Sequence, residues 1–462
     1  MKPILFTGIL SLFTAVLIAN QPNIVFFISD DMSKIDAEVY RETEIKTPNM
    51  LRLASEGMTF ENAFIASPAC APSRAALLTG LMPARNGAEA NHTYPHSYIP
   101  RLVSNMHTAG YEVVAFGKVA HGKDVEDCGF DYHLKVGKRQ DLTGAFKKYM
   151  SERNSDKPVC AFLGDHRPHV TWVDKSTYSP EDAGLPDYFI DTKETREHWA
   201  RYSTDITGLD TELGKALDFA KEEFGDNYVF LFSSDHGSQW PFGKWNLYDV
   251  GINVPFIISW PNIIESETRT DALVSWVDIL PTFIDIAGGT YSDTLDGKSF
   301  LPVLEGKTSD HRDVIYTTNS GDGRMNIYPI RSIRTKEYKY ILNLYPENQH
   351  TNHSDLLRKD GAGAYWDSWD SLAKIDKEAE AIVHKYHIRP AEEFFVLTKD
   401  PTEQNNLIDK KKYKSQITEL RRQLEKWMEE QEDSKKLFNK PYPANEPLPT
   451  KEFFLKAQKK KK

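Results

Sequence analysis

Four apolar runs of strand length each break off into a cluster of ionisable residues, and this rhythm leaves few architectures open to the chain. Asn23 to Ser29 (NIVFFIS) delivers Asp30 and Asp31. Glu112 to Phe116 is followed by Gly117-Lys118-Val119-Ala120-His121, and Val159 to Leu163 by Asp165-His166-Arg167-Pro168-His169. Tyr228 to Phe232 is followed by Ser233-Ser234-Asp235-His236-Gly237. Continuous rather than alternating apolarity marks strands buried on both faces, and Val254 to Ser259 reads as a further one. Helical stretches lie between them. Thr47-Pro48 opens one that Gly57 stops, and Ser73 to Leu78 begins another. Ile99 to Ala109, ending at Gly110, and Val277 to Ala287 add two more. His198 to Glu223 carries Ile206, Leu209, Leu213 and Leu217 at helical spacing. Strand, polar cluster, helix is the pattern of an α/β sheet with helices on both faces. Ligands in such sheets bind at the C-terminal ends of strands, so the four clusters are able to converge.

The texture changes after about Ser320. Ile330 to Thr335 and Tyr338 to Leu342 read as a hairpin, and Phe394 to Leu397 as another strand. Tyr413 to Glu430 reads as an amphipathic helix with Ile417, Leu420, Leu424 and Trp427 on one stripe. The expected division is a signal at 1–19, a catalytic domain at 20–325, a small C-terminal α+β domain at 326–440 and a flexible tail at 441–462. Lys2, an apolar Ile4 to Ile18 and the small Ala19 carry the signal, which predicts a secreted or periplasmic protein. Nothing later in the chain is apolar enough to span a bilayer. The net charge of −10 disfavours a nucleic-acid binder, so capture of an anionic substrate falls to a local basic site. Of the three cysteines, Cys128 and Cys160 admit two readings: a disulfide in an oxidising compartment, or two buried thiols.

Cys70-Ala71-Pro72-Ser73-Arg74-Ala75-Ala76-Leu77-Leu78-Thr79-Gly80 is the stretch that points to chemistry. It resembles the signature of the type I sulfatases. The resemblance implies an alkaline-phosphatase-like domain with a mixed, mostly parallel sheet, and a C-terminal unit with an antiparallel sheet. It also implies that a partner enzyme, a formylglycine-generating or anaerobic maturing enzyme, oxidises Cys70 to formylglycine (3-oxoalanine). The hydrated aldehyde, a gem-diol, would attack sulfur, and its collapse would eject sulfate. The family's metal ligands fall on Asp30, Asp31, Asp235 and His236, with position 70 completing the set. Carboxylates suit a hard divalent ion such as Ca²⁺, while His236 stands where an Asn is common. Arg74 sits one helical turn beyond Cys70. The sulfate clamp falls on Lys118, His121, His169 and Lys244, with His121 assisting the collapse and His169 protonating the leaving alcohol. Lys118 and His121 are three residues apart, where many relatives have two. Taken singly, each of these residues has an ordinary explanation as a surface charge, a cap or a satisfied histidine.

The stretch from Glu393 through Asp400-Pro401 to Leu407 resembles a late motif of the same family. Gly243-Lys244-Trp245-Asn246-Leu247-Tyr248 and Tyr328-Pro329-Ile330-Arg331-Ser332 resemble its sulfamidase-like branch. That branch implies a sulfuric ester hydrolase acting on a sulfated polysaccharide, an algal ulvan-type glycan first and heparan-type N-sulfoglucosamine next. Two alternatives are a phosphomonoester or phosphonate hydrolase of the same superfamily and an inactive glycan-binding relative. Candidates for sugar contact are Asn91, His92, His96, Asp165, Arg167, Trp172, Trp240 and Trp245, with core packing an equal reading for each tryptophan.

Overall fold

The computed structural model describes residues 21–454. The expected signal segment and the terminal lysine run lie outside the described residues. One sheet is built from β1 (Asn23–Asp30), β2 (Met58–Phe64), β3 (Glu112–Gly117), β4 (Tyr132–Leu134), β5 (Val159–Pro168), β6 (Tyr228–Ser234), β7 (Phe256–Ser259) and β8 (Thr268–Ser275). Its order is β4-β3-β5-β1-β6-β7-β2-β8. All neighbours are parallel except β7, which runs antiparallel to both β6 and β2. β1 lies between β5 and β6, with Ile24 in register with Cys160 and Val229.

The side chains of Ile24 through Ile28 are fully buried, so both faces of β1 are covered. Phe26 packs edge-on against Phe283 of the Ile279–Ile286 helix. The long Lys193–Phe224 helix also packs on β1, β5 and β6. The consequence for function is the alignment of β3, β5, β1 and β6 as adjacent parallel strands. Their C-terminal ends share one edge, and the four polar clusters read from the sequence leave the sheet there.

The second sheet is antiparallel, with order β12-β11-β10-β9. Its strands are β9 (Ile315–Asn319), β10 (Ile330–Arg334), β11 (Tyr338–Asn343) and β12 (Glu392–Val396). The Lys414–Glu430 helix lays Ile417, Leu420, Leu424 and Met428 on Ile333, Tyr340, Phe394 and Val396. Trp427, expected in that stripe, is only half-buried. It stacks on Tyr316 with centroids 4.5 Å apart and reaches a small cluster of Ala66, Ala76, Met82 and Val277 on the larger unit.

Some expectations differ from what is observed. β9 joins the second sheet although it precedes the expected boundary at 326; its Ile-Tyr-Thr-Thr run favours a strand and pairs with β10. Of the two readings of Cys128 and Cys160, the structure agrees with buried free thiols, and burial pushes both thiol pKa values up. Residues 441–454, expected to be a flexible tail, lie against the body. Phe454 is buried with Leu356 and Leu357, Pro443 bridges to Asn348, and the Tyr442 hydroxyl donates to the Arg324 carbonyl at 2.7 Å.

Candidate active site

Cys70 is the first residue of a helix, Cys70–Thr79, that is buried along its whole length. No side chain caps it at Ala69. Instead the Ala71 N–H donates to Asn91 Oδ1 at 3.0 Å and the Ser73 hydroxyl donates to the Asp235 carbonyl at 2.6 Å. Gly80 closes the helix in the left-handed conformation, φ 66°. The positive end of the helix dipole therefore surrounds position 70, which favours an anion there.

Asp30, Asp31, Cys70, Asp235 and His236 gather so that one ligand atom from each lies within 4.8 Å of all the others. All five residues are buried. Asp31 reaches the cluster through a left-handed backbone, φ 70°, with its N–H donating to Asp235 Oδ1 at 3.1 Å. His236 Nδ1 faces its neighbour's carbonyl, Gly237 O, at 2.9 Å and so carries the proton. Nε2 points into the cluster, 3.3 Å from Cys70 Sγ and 3.4 Å from Asp31 Oδ1. Without a cation, burial is overcome by Asp235 and Cys70, which raise the ring's pKa to about 9; with one bound, the neutral ring would offer its Nε2 lone pair. Three carboxylates and an imidazole nitrogen at this spacing fit one hard divalent cation.

Positive side chains enclose the cluster. Lys118 Nζ donates to both oxygens of Asp30 at 2.8 and 2.6 Å and lies 3.3 Å from Cys70 Sγ. Lys244 Nζ donates to both oxygens of Asp31 at 2.8 and 3.0 Å and lies 3.4 Å from the same sulfur. Arg74 is fully buried, with Nε donating to Asp235 Oδ2 at 3.0 Å and Nη2 lying 3.4 Å from Asp30 Oδ1. Its Nη1 donates to the carbonyls of Lys118 and Val119. Burial pushes the Cys70 thiol up, but the charges of Lys118, Lys244 and His236 outweigh it and hold the pKa well below an ordinary thiol's. Burial likewise opposes ionisation of Asp30, yet Lys118, His169 and Arg74 hold it below the usual carboxylate range. At Asp235 burial wins over His236 and Arg74, and its pKa rises to about 6. The site is poised for negative charge at position 70.

Through Cys70 this cluster opens onto a cavity of about 280 Å³. Lys118, His121, His169, Lys244, His92 and Trp245, all named from the sequence, line it. His169 Nε2 lies 3.9 Å from Asp31 Oδ2. The ring nitrogens of His92 are turned to protein partners, Nδ1 to His121 Nε2 at 2.9 Å and Nε2 to Asp322 Oδ1 at 3.5 Å. Asp165 and Arg167 do not reach the cavity. They are bound to each other, Arg167 Nη2 to Asp165 Oδ2 at 2.5 Å, because each is the nearest opposite charge in a buried setting. His96 also stays outside and stacks on Tyr98. Trp172 and Trp240 stack on each other at 4.8 Å within the core. Sequence reading missed Asp322, His353, Gln239, Lys359 and the Val170-Thr171 step. Asp322 lies in the turn after β9, His353 opens the short His353–Leu357 helix between β11 and β12, and Lys359 lies in the loop that follows it.

The Sulfatase family profile matches residues 22–289. The chain belongs to the sulfatase family. As a sulfatase it is an enzyme that hydrolyses sulfuric esters. A second profile, N-sulphoglucosamine sulphohydrolase, C-terminal, matches residues 236–362. The sulfatase is 33% identical to an ulvan-active sulfatase of Formosa agariphila, over 90% of this chain and 82% of that protein. It is 25% identical to human N-sulphoglucosamine sulphohydrolase, over 90% of this chain and 91% of that one. Among solved structures, a 2-O GAG sulfatase matches with a TM-score of 0.72, 21% identity and coverage of 94% and 99% of the two chains. A protein solved with its substrate D-glucosamine-2-N,6-O-disulfate matches at 0.66, 20% identity, 90% and 99%. The two sheets are thus the alkaline-phosphatase-like arrangement that the resemblance implied.

In this sulfatase the late motif is a rivet rather than a site. Glu393 accepts from the Tyr248 hydroxyl at 2.7 Å and Glu403 pairs with Lys339 at 2.7 Å and accepts from the Asp249 N–H. Both hold the segment that follows Lys244 onto the second sheet.

Proposed function

We propose that the protein removes sulfate from a sulfated polysaccharide or oligosaccharide, with an ulvan-type glycan favoured and N-sulfoglucosamine next. The observation that carries this reading is position 70, set at a helix start among three buried carboxylates and between two lysine ammoniums. Cys70 Sγ stands where the hydroxyl oxygens of the hydrated aldehyde would be. After oxidation to formylglycine and hydration, position 70 supplies an oxygen nucleophile, and a divalent cation such as Ca²⁺, held by Asp30, Asp31, Asp235 and His236, supplies positive charge for the sulfuryl oxygens.

The chain's own residues then divide the work. Arg74 orients Asp235 and Asp30 and fixes the Lys118 loop through its carbonyl. With the carboxylates committed to a cation, Lys118 and Lys244 are the charges available to the sulfate. His169 Nδ1 is tied to the Val170 carbonyl at 2.5 Å, which leaves Nε2 to protonate the departing sugar oxygen. His121 takes the proton released when sulfate departs. Although the chain is net negative, the cavity is lined by Lys118, Lys244, Lys359 and four histidines. That local basic surface suits a polyanionic glycan. The relatives named for ulvan and N-sulphoglucosamine support the substrate class, and the signal-like first 19 residues support secretion or a periplasmic location.

The test is co-expression with a maturing enzyme. Mass spectrometry of the Cys70 peptide should show the aldehyde, and the matured protein should release sulfate from ulvan or heparan oligosaccharides. Activity that persists in Cys70→Ala would overturn the reading. A parallel assay on aryl sulfate and aryl phosphate separates it from a phosphate or phosphonate hydrolase.

A further inference from the structure

We infer that Asp322 and His92 are positioning residues that set the tautomer of His121. Asp322 is supplied by the turn after β9, yet it gathers residues from two loops of the catalytic unit. Its Oδ2 accepts from Asn91 Nδ2 at 2.8 Å and from the Trp245 indole N–H at 3.1 Å. Its side chain is nearly buried, and its Oδ1 faces His92 Nε2 at 3.5 Å. The other nitrogen of His92 lies 2.9 Å from His121 Nε2.

One proton arrangement satisfies this chain when both rings are neutral. A carboxylate oxygen only accepts, so His92 carries its proton on Nε2. His92 Nδ1 is then a lone pair, and the 2.9 Å contact requires His121 to donate from Nε2. The opposite choice would set a His92 lone pair against a carboxylate. His121 is left with its lone pair on Nδ1, a buried atom with no hydrogen-bond partner among the described residues. The His121 ring lines the same cavity as Cys70. The carboxylate thus dictates, through one imidazole, which nitrogen of the next is able to accept a proton. The logic is that of a catalytic triad, in which a carboxylate holds an imidazole in one tautomer. His92 is well suited to the intermediate place. It has a left-handed backbone, φ 64°, which turns its ring between the two partners.

The inference rests on the proposed role of His121, and two measurements keep the two apart. The first is long-range ¹H–¹⁵N spectroscopy of ring-labelled, unmodified protein at pH 8. His121 should show the Nε2–H pattern, and His92→Ala should convert it to a mixture. A native His121 protonated on Nδ1, or a pattern unmoved in His92→Ala, overturns the inference whatever the enzyme's substrate. The second is steady-state kinetics of the matured enzyme on an aryl sulfate. His92→Ala and Asp322→Asn should lower kcat by about 10- to 100-fold, the usual cost of losing an outer partner of a working histidine, with KM changed less than about threefold. The double variant His92→Ala/His121→Ala should be no slower than His121→Ala alone. Losses that multiply, or a kcat within twofold of the parent in both single variants, would refute the positioning role. His92 has a largely exposed side chain (61%), so its removal does not threaten the fold.

Discussion

Arg74 lies between Asp235 and Asp30 with no contact to water, and its charge is the one that two buried carboxylates lean on. Removing one partner of a buried ion pair leaves the others uncompensated and costs about 3–5 kcal/mol. Arg74→Ala should therefore destabilise the metal-free protein by about that amount in urea titrations. Added Ca²⁺ should recover part of the loss, because a cation bound by the same carboxylates replaces the missing charge. Asp355 predicts a pH effect away from the site. It accepts from the Asn352 N–H at 2.6 Å and the Tyr386 hydroxyl at 2.9 Å, but its Oδ2 is buried without a partner among the described residues. Burial raises its pKa from 3.8 to about 7. An acid whose folded pKa is raised binds more protons folded than unfolded, so stability falls as pH rises from about 4 to 7. The effect is at most about 4 kcal/mol. Melting curves from pH 5 to 8 should show this decline in the parent and a flatter profile in Asp355→Asn.

At the scale of elements, the strand ends are held by close approaches that admit no side chain. A Cβ at Gly164, in β5, would meet the Lys118 carbonyl at 2.0 Å, and Lys118 N–H donates to the Gly164 carbonyl at 2.8 Å. Gly164→Ala should push the Lys118 loop off its place, costing about 1–3 kcal/mol and a larger share of activity than of stability. Leu424→Ala, in the helix over the second sheet, should cost about 2–5 kcal/mol in stability. Comparing sulfate release per folded molecule with the denaturation midpoint separates the two variants. The elements that bear on chemistry were legible for a physical reason. β1, β3, β5 and β6 are buried on both faces, so their sequences are continuously apolar and their ends conspicuous. β2, β4 and β8 mix polar and apolar residues and gave no such signal. Of the cavity, the residues at strand ends were readable as clusters. Asp322, His353 and Lys359 were not, because turns and a five-residue helix carry too little periodic signal and only the folded chain brings them near position 70. Asp165 and Arg167 misled for the converse reason: adjacency to a strand end says nothing about which way a buried pair turns.

Across the whole molecule, the two sheets are joined by charge as much as by apolar packing. Asp249 is bound by Arg334 at 3.0 Å and also by Lys339. The Asp249 carboxyl is held below the usual carboxylate range, burial being outweighed by Arg334 and Lys339. Its charge is lost only in strong acid, so the joint should survive mild acidification. A chelator, by contrast, should lower the melting temperature by several degrees if three carboxylates share a cation, and calcium should restore it. Scanning calorimetry with and without EDTA checks this. Among the described residues no helix is long and apolar enough to cross a membrane.

The cavity has two authors within one chain: the floor is written by strand ends before residue 250, and much of the opposite wall by turns after 320. Apart from Asp322, mutation is thus free to redraw the later part of the lining while the residues around position 70 are inherited intact. A lineage built this way can alter what the cavity accepts by editing segments that lie far from the nucleophile along the chain.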